Sequence, residues 1–231
     1  MGTMNFIAHG TLLLNKVRRI LRITYFLGIQ KWIYSCSYNT NGNSFVCNGL
    51  FVKKSKIILT GKNNKVLICK GARLANINIS ITGSGNSLII HEGVIFSEGG
   101  RIRIDDHNNT VEIGKHSTFI NCYFAVNDND GKIIIGEDCM FSGQITIRNS
   151  DVHSVLNKEG KRINMGKNTI VGNRVWIGAG AAILKGTEIG DDVVVGTQSV
   201  VAGLSVPCGC IVAGNPAKII KTDIHWCRER L

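Results

Sequence analysis

Residues 171–206 repeat with a period of six, and this period limits the possible folds more than any other feature of the chain. The stretch reads VGNRVW, IGAGAA, ILKGTE, IGDDVV, VGTQSV and VAGLSV. Neither the helical period nor the alternation of an ordinary strand produces such a pattern. A six-residue period is typical of a parallel β-helix, in which each short strand forms one side of a coil. The recurring aliphatic residues are predicted to point into the coil: Val171, Ile177, Ile183, Ile189, Val195 and Val201.

A looser form of the same repeat begins at about residue 45. Four segments align with one another and end at Ile68, Ile90, Ile113 and Ile135, which are 22, 23 and 22 residues apart. Because three hexapeptides complete one coil, these longer coils are predicted to carry extra residues at a corner, in Asn-Gly-type turns. We therefore expect one all-β domain, a parallel β-helix over residues 45–206, followed by a C-terminal extension of residues 207–231.

The N-terminal segment, residues 1–44, has a different pattern. Residues 11–34 mix apolar and basic positions, which favours an amphipathic helix. Basic residues such as Arg18 and Arg22 interrupt the apolar run too often for a membrane-spanning helix. Two roles remain open: a cap on the first coil, which we favour, or a peripheral contact with a membrane surface.

The charge and the cysteine content limit the classes of binding partner and the cellular compartment that are expected. The chain has 27 Lys and Arg against 16 Asp and Glu, a net charge of +11, which favours anionic partners. No recognition helix, zinc finger or aromatic RNA-binding signature is present, so nucleic acid is not expected. The eight scattered cysteines often occupy apolar or small positions, which is typical of free thiols in a reduced compartment such as the cytoplasm. Cys208 and Cys210 with His225 and Cys227 match no common zinc spacing, and no metal site is predicted.

One long polar excursion interrupts the repeat between Ile147 and Val171, and it contains His153. Binding and catalytic residues are common in loops that a rigid scaffold holds in position. The sequence therefore predicts an active-site loop over residues 148–170.

Motifs in and after this loop resemble those of the hexapeptide-repeat acetyltransferases. They are SDVHS (150–154), VWIG (175–178), ILKG (183–186), VVVG (193–196) and AGNPAK (213–218). Their order is most similar to that in bacterial O-acetyltransferases of surface polysaccharides, and IRNSDVH (147–153) and GKRINMGK (160–167) resemble the group that modifies polysialic acid capsule. The resemblance covers roughly residues 131–222. It implies a left-handed parallel β-helix, a homotrimer, and acetyl-CoA bound between neighbouring subunits.

Acetyl transfer suggests roles for three residues. Moving an acetyl group from a thioester to a sugar hydroxyl requires a base, an oxyanion donor and aligned substrates. His153 is the predicted base, because imidazole titrates near neutral pH, and the family implies direct transfer in a ternary complex. Asp151 is a candidate for orienting the imidazole, with an Asx turn as the alternative. Trp176 faces outward in the repeat, and the family implies that it lines the acetyl-CoA and acceptor site, with packing in a trimer as the alternative.

Small residues and lysines are predicted to hold the donor. Small residues let a pantetheine arm lie close to the coil, and the family pattern brings the lysines near the coenzyme. The donor-binding candidates are Gly178, Ala179, Lys185, Gly196, Thr197, Ala202, Gly203 and Lys218. The substrate-binding candidates, which include two cations suited to an acidic acceptor, are Arg148, Arg162 and Asn121.

The leading hypothesis is an acetyl-CoA-dependent O-acetyltransferase that modifies a sugar of capsule or lipopolysaccharide. It would act in the cytoplasm, with the inner face of the membrane open as a location. One alternative is an acetyltransferase with a small acceptor, such as a free sugar, serine or an antibiotic. A second is a non-catalytic β-helix scaffold. A metal enzyme of the carbonic anhydrase type is disfavoured, since it needs three converging imidazoles and Lys158 stands where the second is expected.

Overall fold

The computed structural model describes residues 19–27, 30–38, 40–52 and 54–231, and the regular structure of these residues consists of strands. In chain order they are β1 (Arg19–Leu27), β2 (Gln30–Tyr38), β3 (Ser44–Cys47), β4 (Leu50–Val52), β5 (Ser55–Lys62), β6 (Lys65–Ile68), β7 (Arg73–Ala75), β8 (Ile77–Ser84), β9 (Ser87–Ile90), β10 (Ile95–Phe96), β11 (Gly100–Ile104), β12 (Thr110–Ile113), β13 (Thr118–Phe119), β14 (Cys122–Val126), β15 (Lys132–Ile135), β16 (Met140–Phe141), β17 (Ile145–Arg148), β18 (Thr169–Val171), β19 (Trp176–Ile177), β20 (Ala182–Ile183), β21 (Glu188–Ile189), β22 (Val194–Val195), β23 (Val200–Val201), β24 (Ser205–Val206), β25 (Ile211–Gly214) and β26 (Ala217–Lys221).

The strands form three sheets, which the chain visits in turn. Sheet A has the order β1-β2-β5-β8-β11-β14-β17-β20-β23, sheet B the order β3-β6-β9-β12-β15-β18-β21-β24, and sheet C the order β4-β7-β10-β13-β16-β19-β22-β25-β26. Neighbouring strands are parallel except for two antiparallel pairs, β1 with β2 and β25 with β26. A chain that passes from A to B to C and back to A forms a three-sided coil. The predicted parallel β-helix is therefore confirmed.

Columns of buried apolar side chains fill the coil. The six inward residues predicted from the repeat are at most 3% exposed. The four predicted equivalents Ile68, Ile90, Ile113 and Ile135 pair in register along sheet B. In sheet C, Phe119 stacks between Phe96 and Phe141, with ring centroids 4.5 and 4.7 Å apart. Each coil thus buries its apolar side chains against the coils before and after it, as a solenoid requires.

The extra residues of the longer coils lie where sheet A turns into sheet B, which we call the A–B corner. Buried asparagines form a ladder there. The Asn86 N–H donates to Asn64 Oδ1 at 3.0 Å, and the Asn109 N–H donates to Asn86 Oδ1 at 2.9 Å. The Asn86 amide also donates to the carbonyls of Thr82 and Asp106, in two successive coils, at 3.2 and 3.0 Å. The ladder satisfies the polar groups of each turn and ties neighbouring coils together.

The described part of the N-terminal segment consists of strands, not of the helix predicted for residues 11–34. In its described part, β1 and β2 form an antiparallel pair, and β2 pairs in parallel with β5, so these strands extend sheet A. Residues 11–18, 28 and 29 lie outside the described residues. The difference has a physical reason: the edge of β5 offers unpaired backbone groups, and the many Ile, Thr, Tyr and Phe residues of the segment favour a strand. The described residues contain no helix that is long and apolar enough to cross a membrane.

Strand pairing also extends the coil past the predicted end at residue 206. β25 pairs in parallel with β22, and the chain then turns back as β26, antiparallel to β25. Residues 222–231 run back along the coil, and the Ile224 N–H donates at 3.0 Å to the carbonyl of Gly209, which lies in the turn between β24 and β25. The predicted C-terminal extension therefore contributes to the last coil and covers part of one face.

Candidate active site

The long excursion leaves the coil at the A–B corner, after β17, and rejoins it at β18. It folds as a short hairpin. Leu156 and Arg162 form an antiparallel bridge, the Ile163 N–H donates to the Val155 carbonyl at 2.9 Å, and the Asn157 N–H donates to the Lys161 carbonyl at 2.9 Å. The predicted loop is therefore an ordered element on a rigid corner.

His153 lies exposed near the base of this hairpin, and its main chain is held on both sides. Its N–H donates to the Asp151 carbonyl at 2.8 Å, and its carbonyl accepts from Asn164 Nδ2 at 2.8 Å. Within the described residues the imidazole itself has no hydrogen bond or ion pair. The backbone of His153 is thus fixed while both ring nitrogens stay available to a ligand.

Asn164 is the residue at the centre of the loop that the sequence analysis missed. Besides His153, its Nδ2 donates to Asp151 Oδ2 at 2.9 Å. Its Oδ1 accepts from the Val155 N–H at 2.8 Å and from Arg162 Nε at 3.3 Å. One amide therefore connects both arms of the hairpin to the main chain of His153. Nothing in the local sequence distinguishes Asn164 from a solvated loop asparagine.

Asp151 and Lys185 have partners other than those predicted. The Asp151 carboxylate accepts hydrogen bonds from Lys185 Nζ and Asn164 Nδ2, and among the described residues none joins it to the His153 ring, so its orienting role stays a prediction. The hydrogen bond from Lys185 lowers the pKa of Asp151 below its ordinary value, because it stabilises the charged carboxylate. Lys185 also donates to the Asn164 carbonyl at 3.2 Å. Lys185, predicted to contact the donor, therefore holds the loop against the next coil.

Arg162, predicted to attract an acidic acceptor, is instead bound to Asp128. Two of its nitrogens donate to the two oxygens of that carboxylate, at 3.0 and 2.9 Å. Asp128 also accepts from the Ser150 hydroxyl and the Gly166 N–H, both at 2.9 Å. Burial raises the pKa of Asp128, but these hydrogen bonds outweigh it, and the pKa lies below its ordinary value. The pair fastens the hairpin to the preceding coil, which leaves Arg162 little capacity for a ligand.

Arg148, the last residue of β17, keeps an outward guanidinium beside the loop. It lies over the Tyr123 ring, 5.3 Å from the centroid, and has no carboxylate partner among the described residues. Its carbonyl accepts from the Thr169 hydroxyl at 2.8 Å, which closes the base of the loop. Arg148 therefore remains a candidate for binding an anionic substrate.

The small residues predicted to line the donor site lie at two different corners. Gly178, Ala179, Gly196 and Thr197 stack where sheet C turns into sheet A, the C–A corner, together with exposed Asn121. Ala202 and Gly203 do not continue that line, since they follow β23 and lie at the A–B corner. The reason is the repeat itself: positions eighteen residues apart stack, whereas positions six apart occupy successive corners.

Glycine at position 178 has a structural cause as well. It is buried, and a Cβ there would lie 2.6 Å from the Thr197 nitrogen in the next coil, closer than real Cβ contacts. At Gly196 a Cβ would lie 2.9 Å from the Ala213 Cβ. Coil packing therefore explains these two glycines. Ala179 and Thr197 are exposed and are better placed to touch a ligand.

Trp176 projects outward from sheet C, where the C-terminal segment partly covers it. The Trp226 ring lies 6.0 Å from the Trp176 ring at an angle of 47°, and its indole N–H donates to the Arg174 carbonyl at 2.5 Å. Arg228 donates to the Thr118 hydroxyl at 2.9 Å and to the Cys139 carbonyl at 2.8 Å. Trp176 nevertheless keeps 38% of its surface exposed. The cover that an outward tryptophan needs thus comes partly from its own chain.

One chain does not bring all the predicted site residues together. His153, Arg148, Lys185, Ala202 and Gly203 share the A–B corner, whereas Trp176 faces outward from sheet C. Lys218 is exposed on β26, at the end of sheet C, opposite Ala213. Among the described residues, no group of three or more His, Cys, Asp or Glu side chains could hold a metal ion.

Comparisons with known proteins agree with this architecture. Residues 168–203 match the family of bacterial transferase hexapeptides, with six repeats. The chain is 37% identical over 119 residues to a polysialic acid O-acetyltransferase of Escherichia coli O1:K1, and 38% identical over 100 residues to one of Neisseria meningitidis. These matches cover 51% and 43% of this chain but only 38% and 46% of the relatives, so the chain spans less than half the length of either.

A third relative and two solved structures are matched over more of their length. The chain is 32% identical to a putative lipopolysaccharide biosynthesis O-acetyl transferase of Escherichia coli K12, over 59% of this chain and 73% of that one. The crystal structure of the polysialic acid-specific acetyltransferase NeuO superposes with a TM-score of 0.76 and 34% identity, over 85% of this chain and 89% of that one. The polysialic acid O-acetyltransferase OatWY gives a TM-score of 0.76 and 33% identity, over 86% and 92%. Its six-residue repeat, its loop with His153 and these similarities show that the chain belongs to the hexapeptide-repeat acetyltransferases of bacteria.

Proposed function

We propose that the protein is an acetyl-CoA-dependent O-acetyltransferase that modifies a sugar hydroxyl of a bacterial surface polysaccharide. The main support for the proposal is the environment of His153. Hydrogen bonds hold its main chain on both sides, while its ring is exposed and has no hydrogen-bond partner among the described residues. An imidazole held in this way fits a base that waits for a substrate proton. The names of the relatives, acetyltransferases of polysialic acid and lipopolysaccharide, support this class of acceptor.

Acetyl-CoA supplies a thioester, and the chain supplies position and proton transfer. In the proposed mechanism His153 takes the proton of the acceptor hydroxyl as its oxygen bonds to the acetyl carbon. The bond from that carbon to sulfur breaks, and His153 returns the proton to the departing thiolate. Both substrates are bound at once, and no acyl group passes to the protein. Asn164 and Asp151 keep His153 in place through its backbone.

The donor is proposed to lie along exposed small residues, and the arrangement favours a site shared between chains. Ala179 and Thr197 offer an open strip at the C–A corner, and Trp176 lies on the adjoining sheet C. His153 lies at the opposite edge of sheet A, so a second copy that presents its sheet C to this corner would complete the site. The homotrimer that the family resemblance implies is one assembly with this property.

The cytoplasm is the proposed compartment, since acetyl-CoA is made there and the thiols fit a reducing environment. The seven cysteines from Cys47 to Cys227 are free thiols. Burial raises the pKa of the Cys122 thiol to about 12 and that of Cys139 to about 11, so both stay neutral at ordinary pH. Two other cysteines, Cys208 and Cys227, are exposed. In an oxidising compartment their thiols would be open to disulfide cross-linking.

The test is transfer of labelled acetyl from acetyl-CoA to a panel of sialylated, uronic-acid and neutral glycans, each as polymer and as single sugar. The proposal expects label in at least one polymer at a rate well above that of any single sugar, serine or chloramphenicol. Label only in small acceptors would replace the polysaccharide with a small substrate. Binding of neither acetyl-CoA nor glycan would favour a non-catalytic scaffold.

A further inference from the structure

The outward face of sheet A carries a row of cations and one aromatic ring that ends beside His153. Arg101 on β11, Tyr123 on β14 and Thr146 on β17 occupy one column of that face. Arg103, Ala125 and Arg148 occupy the neighbouring column on the same strands. Since adjacent strands are about 4.8 Å apart, the two outer strands lie about 10 Å apart. We call this surface, from Arg101 to Arg148, the sheet A track.

Two guanidinium groups of the track are free to bind a ligand. Arg101 and Arg148 both lie over the Tyr123 ring, 5.5 and 5.3 Å from its centroid. Neither has a carboxylate partner among the described residues. Arg103 differs, because its Nε forms an ion pair with Asp105 at 2.5 Å. Arg162 in the loop is paired in the same way with Asp128, and Arg174, between β18 and β19, is paired with Asp192.

The combination of groups matches one chemical class. A guanidinium binds a carboxylate through two parallel hydrogen bonds, and the Tyr123 ring, which lies beside both guanidinium groups, helps to hold them at a fixed spacing. A ligand that engages Arg101, Tyr123 and Arg148 together must present negative charges separated by about two strand spacings. A chain of carboxylate-bearing sugars has this form, whereas a single sugar does not reach both arginines.

The sheet A track ends next to the loop that carries His153. Arg148 ends β17, five residues before His153, and its carbonyl is fixed by the Thr169 hydroxyl. We propose that the sheet A track binds the portion of a carboxylate-bearing polysaccharide next to the sugar that is acetylated. This inference rests on the proposed function and adds the surface that selects a long, acidic acceptor over a short or neutral one.

The test compares the affinity for a long oligosialic acid with that for a single sialic acid, by direct binding to the labelled sugars at low salt. Loss of one charged hydrogen-bonding partner is expected to weaken binding of the long chain about tenfold in Arg101→Gln, with little change for the single sugar. Tyr123→Leu is expected to weaken the long chain in the same direction. The matched control is Lys132→Gln, which removes one exposed charge from the outward face of sheet B.

Equal weakening in Arg101→Gln and Lys132→Gln would show only general attraction by net charge and would overturn the inference. So would unchanged binding in Arg101→Gln and Tyr123→Leu, or failure of the wild-type protein to bind the long chain. Acetyl transfer by the wild-type protein to the whole glycan panel, including neutral polymers, is measured in parallel and tests the proposed function separately. A protein that transfers acetyl but binds no acidic chain would retain the function and lose the track.

Discussion

Asn164 uses both ends of its amide inside the active-site loop. Its nitrogen donates to the His153 carbonyl and to the Asp151 carboxylate, while its oxygen accepts from Val155 and Arg162. These bonds link the hairpin to the residue that the proposed mechanism needs. Asn164 is thus a positioning residue, since it reaches the substrates only through His153.

Replacing Asn164 by aspartate tests this role with almost no change of shape. Asn164→Asp removes both N–H donors and directs a carboxylate at the Asp151 carboxylate and the His153 carbonyl, which repel it. We expect kcat to fall by about 100-fold, as when a catalytic group is misplaced by about 1 Å, with little change in KM for acetyl-CoA. Steady-state kinetics measure both quantities.

Asn157→Asp is the matched control for that variant. Asn157 lies in the same loop, and its Oδ1 accepts from the Lys161 N–H at 2.8 Å, a bond that aspartate keeps. Among the described residues it has no hydrogen bond to His153, so kcat should stay near that of the wild type. Equal losses in the two variants, or full kcat in Asn164→Asp, would contradict the positioning role.

At the scale of elements, the C-terminal segment of residues 222–231 is a cover for sheet C. It is held by Trp226 against Trp176, and by Arg228 at Thr118 of β13 and at the Cys139 carbonyl just before β16. Such a return could not be predicted from the sequence, because no local pattern connects Trp226 with Trp176, fifty residues earlier. For the same reason the pairing of Arg162 with Asp128, 34 residues apart, was missed.

Fluorescence quenching tests whether this cover persists in solution. In a Trp32→Phe background, Trp226→Ala leaves Trp176 as the single tryptophan and removes its neighbour. We expect acrylamide to quench Trp176 more strongly than it does in Trp226→Phe, where an aromatic ring still shields it. Equal quenching in the two proteins would mean that the segment does not lie over Trp176.

The loop and the N-terminal strands show why elements differ in how well a sequence predicts them. The loop with His153 could be predicted because it interrupts a regular repeat. In the structure it leaves the coil at the point where the repeat is interrupted. Residues 11–34 have apolar positions compatible with either a helix or a strand, and their own pattern does not decide between them. What decides is the open edge of β5, a property of the whole sheet.

For the whole molecule, the coil is stabilised by each turn resting on the next. The repeat of 171–206 predicted the inward residues correctly because every sixth position faces the same interior. The asparagine ladder at the A–B corner was less predictable in detail, since the sequence shows the turns but not which side chains become buried. Asn64, Asn86 and Asn109 are all fully buried.

Asn86→Ala should therefore destabilise the molecule far more than a surface asparagine does. It leaves the Asn109 N–H and the carbonyls of Thr82 and Asp106 without their partner, at a cost of about 3 kcal/mol in the free energy of unfolding. Asn78→Ala, on the exposed face of β8, should change it by less than about 0.5 kcal/mol. Denaturant unfolding compares them, and similar midpoints would contradict the ladder's role.

The central claim is that His153 is the base of an acetyl transfer, and its most direct test is the rate of that transfer in His153→Ala. With acetyl-CoA and the best acceptor from the glycan panel, the account predicts a fall in kcat of about 10²–10⁴-fold, because a general base contributes about that factor. Acetyl-CoA binding and the unfolding midpoint should stay close to those of the wild type, since the ring has no partner among the described residues. A His153→Ala protein that transfers acetyl at the wild-type rate would contradict the account.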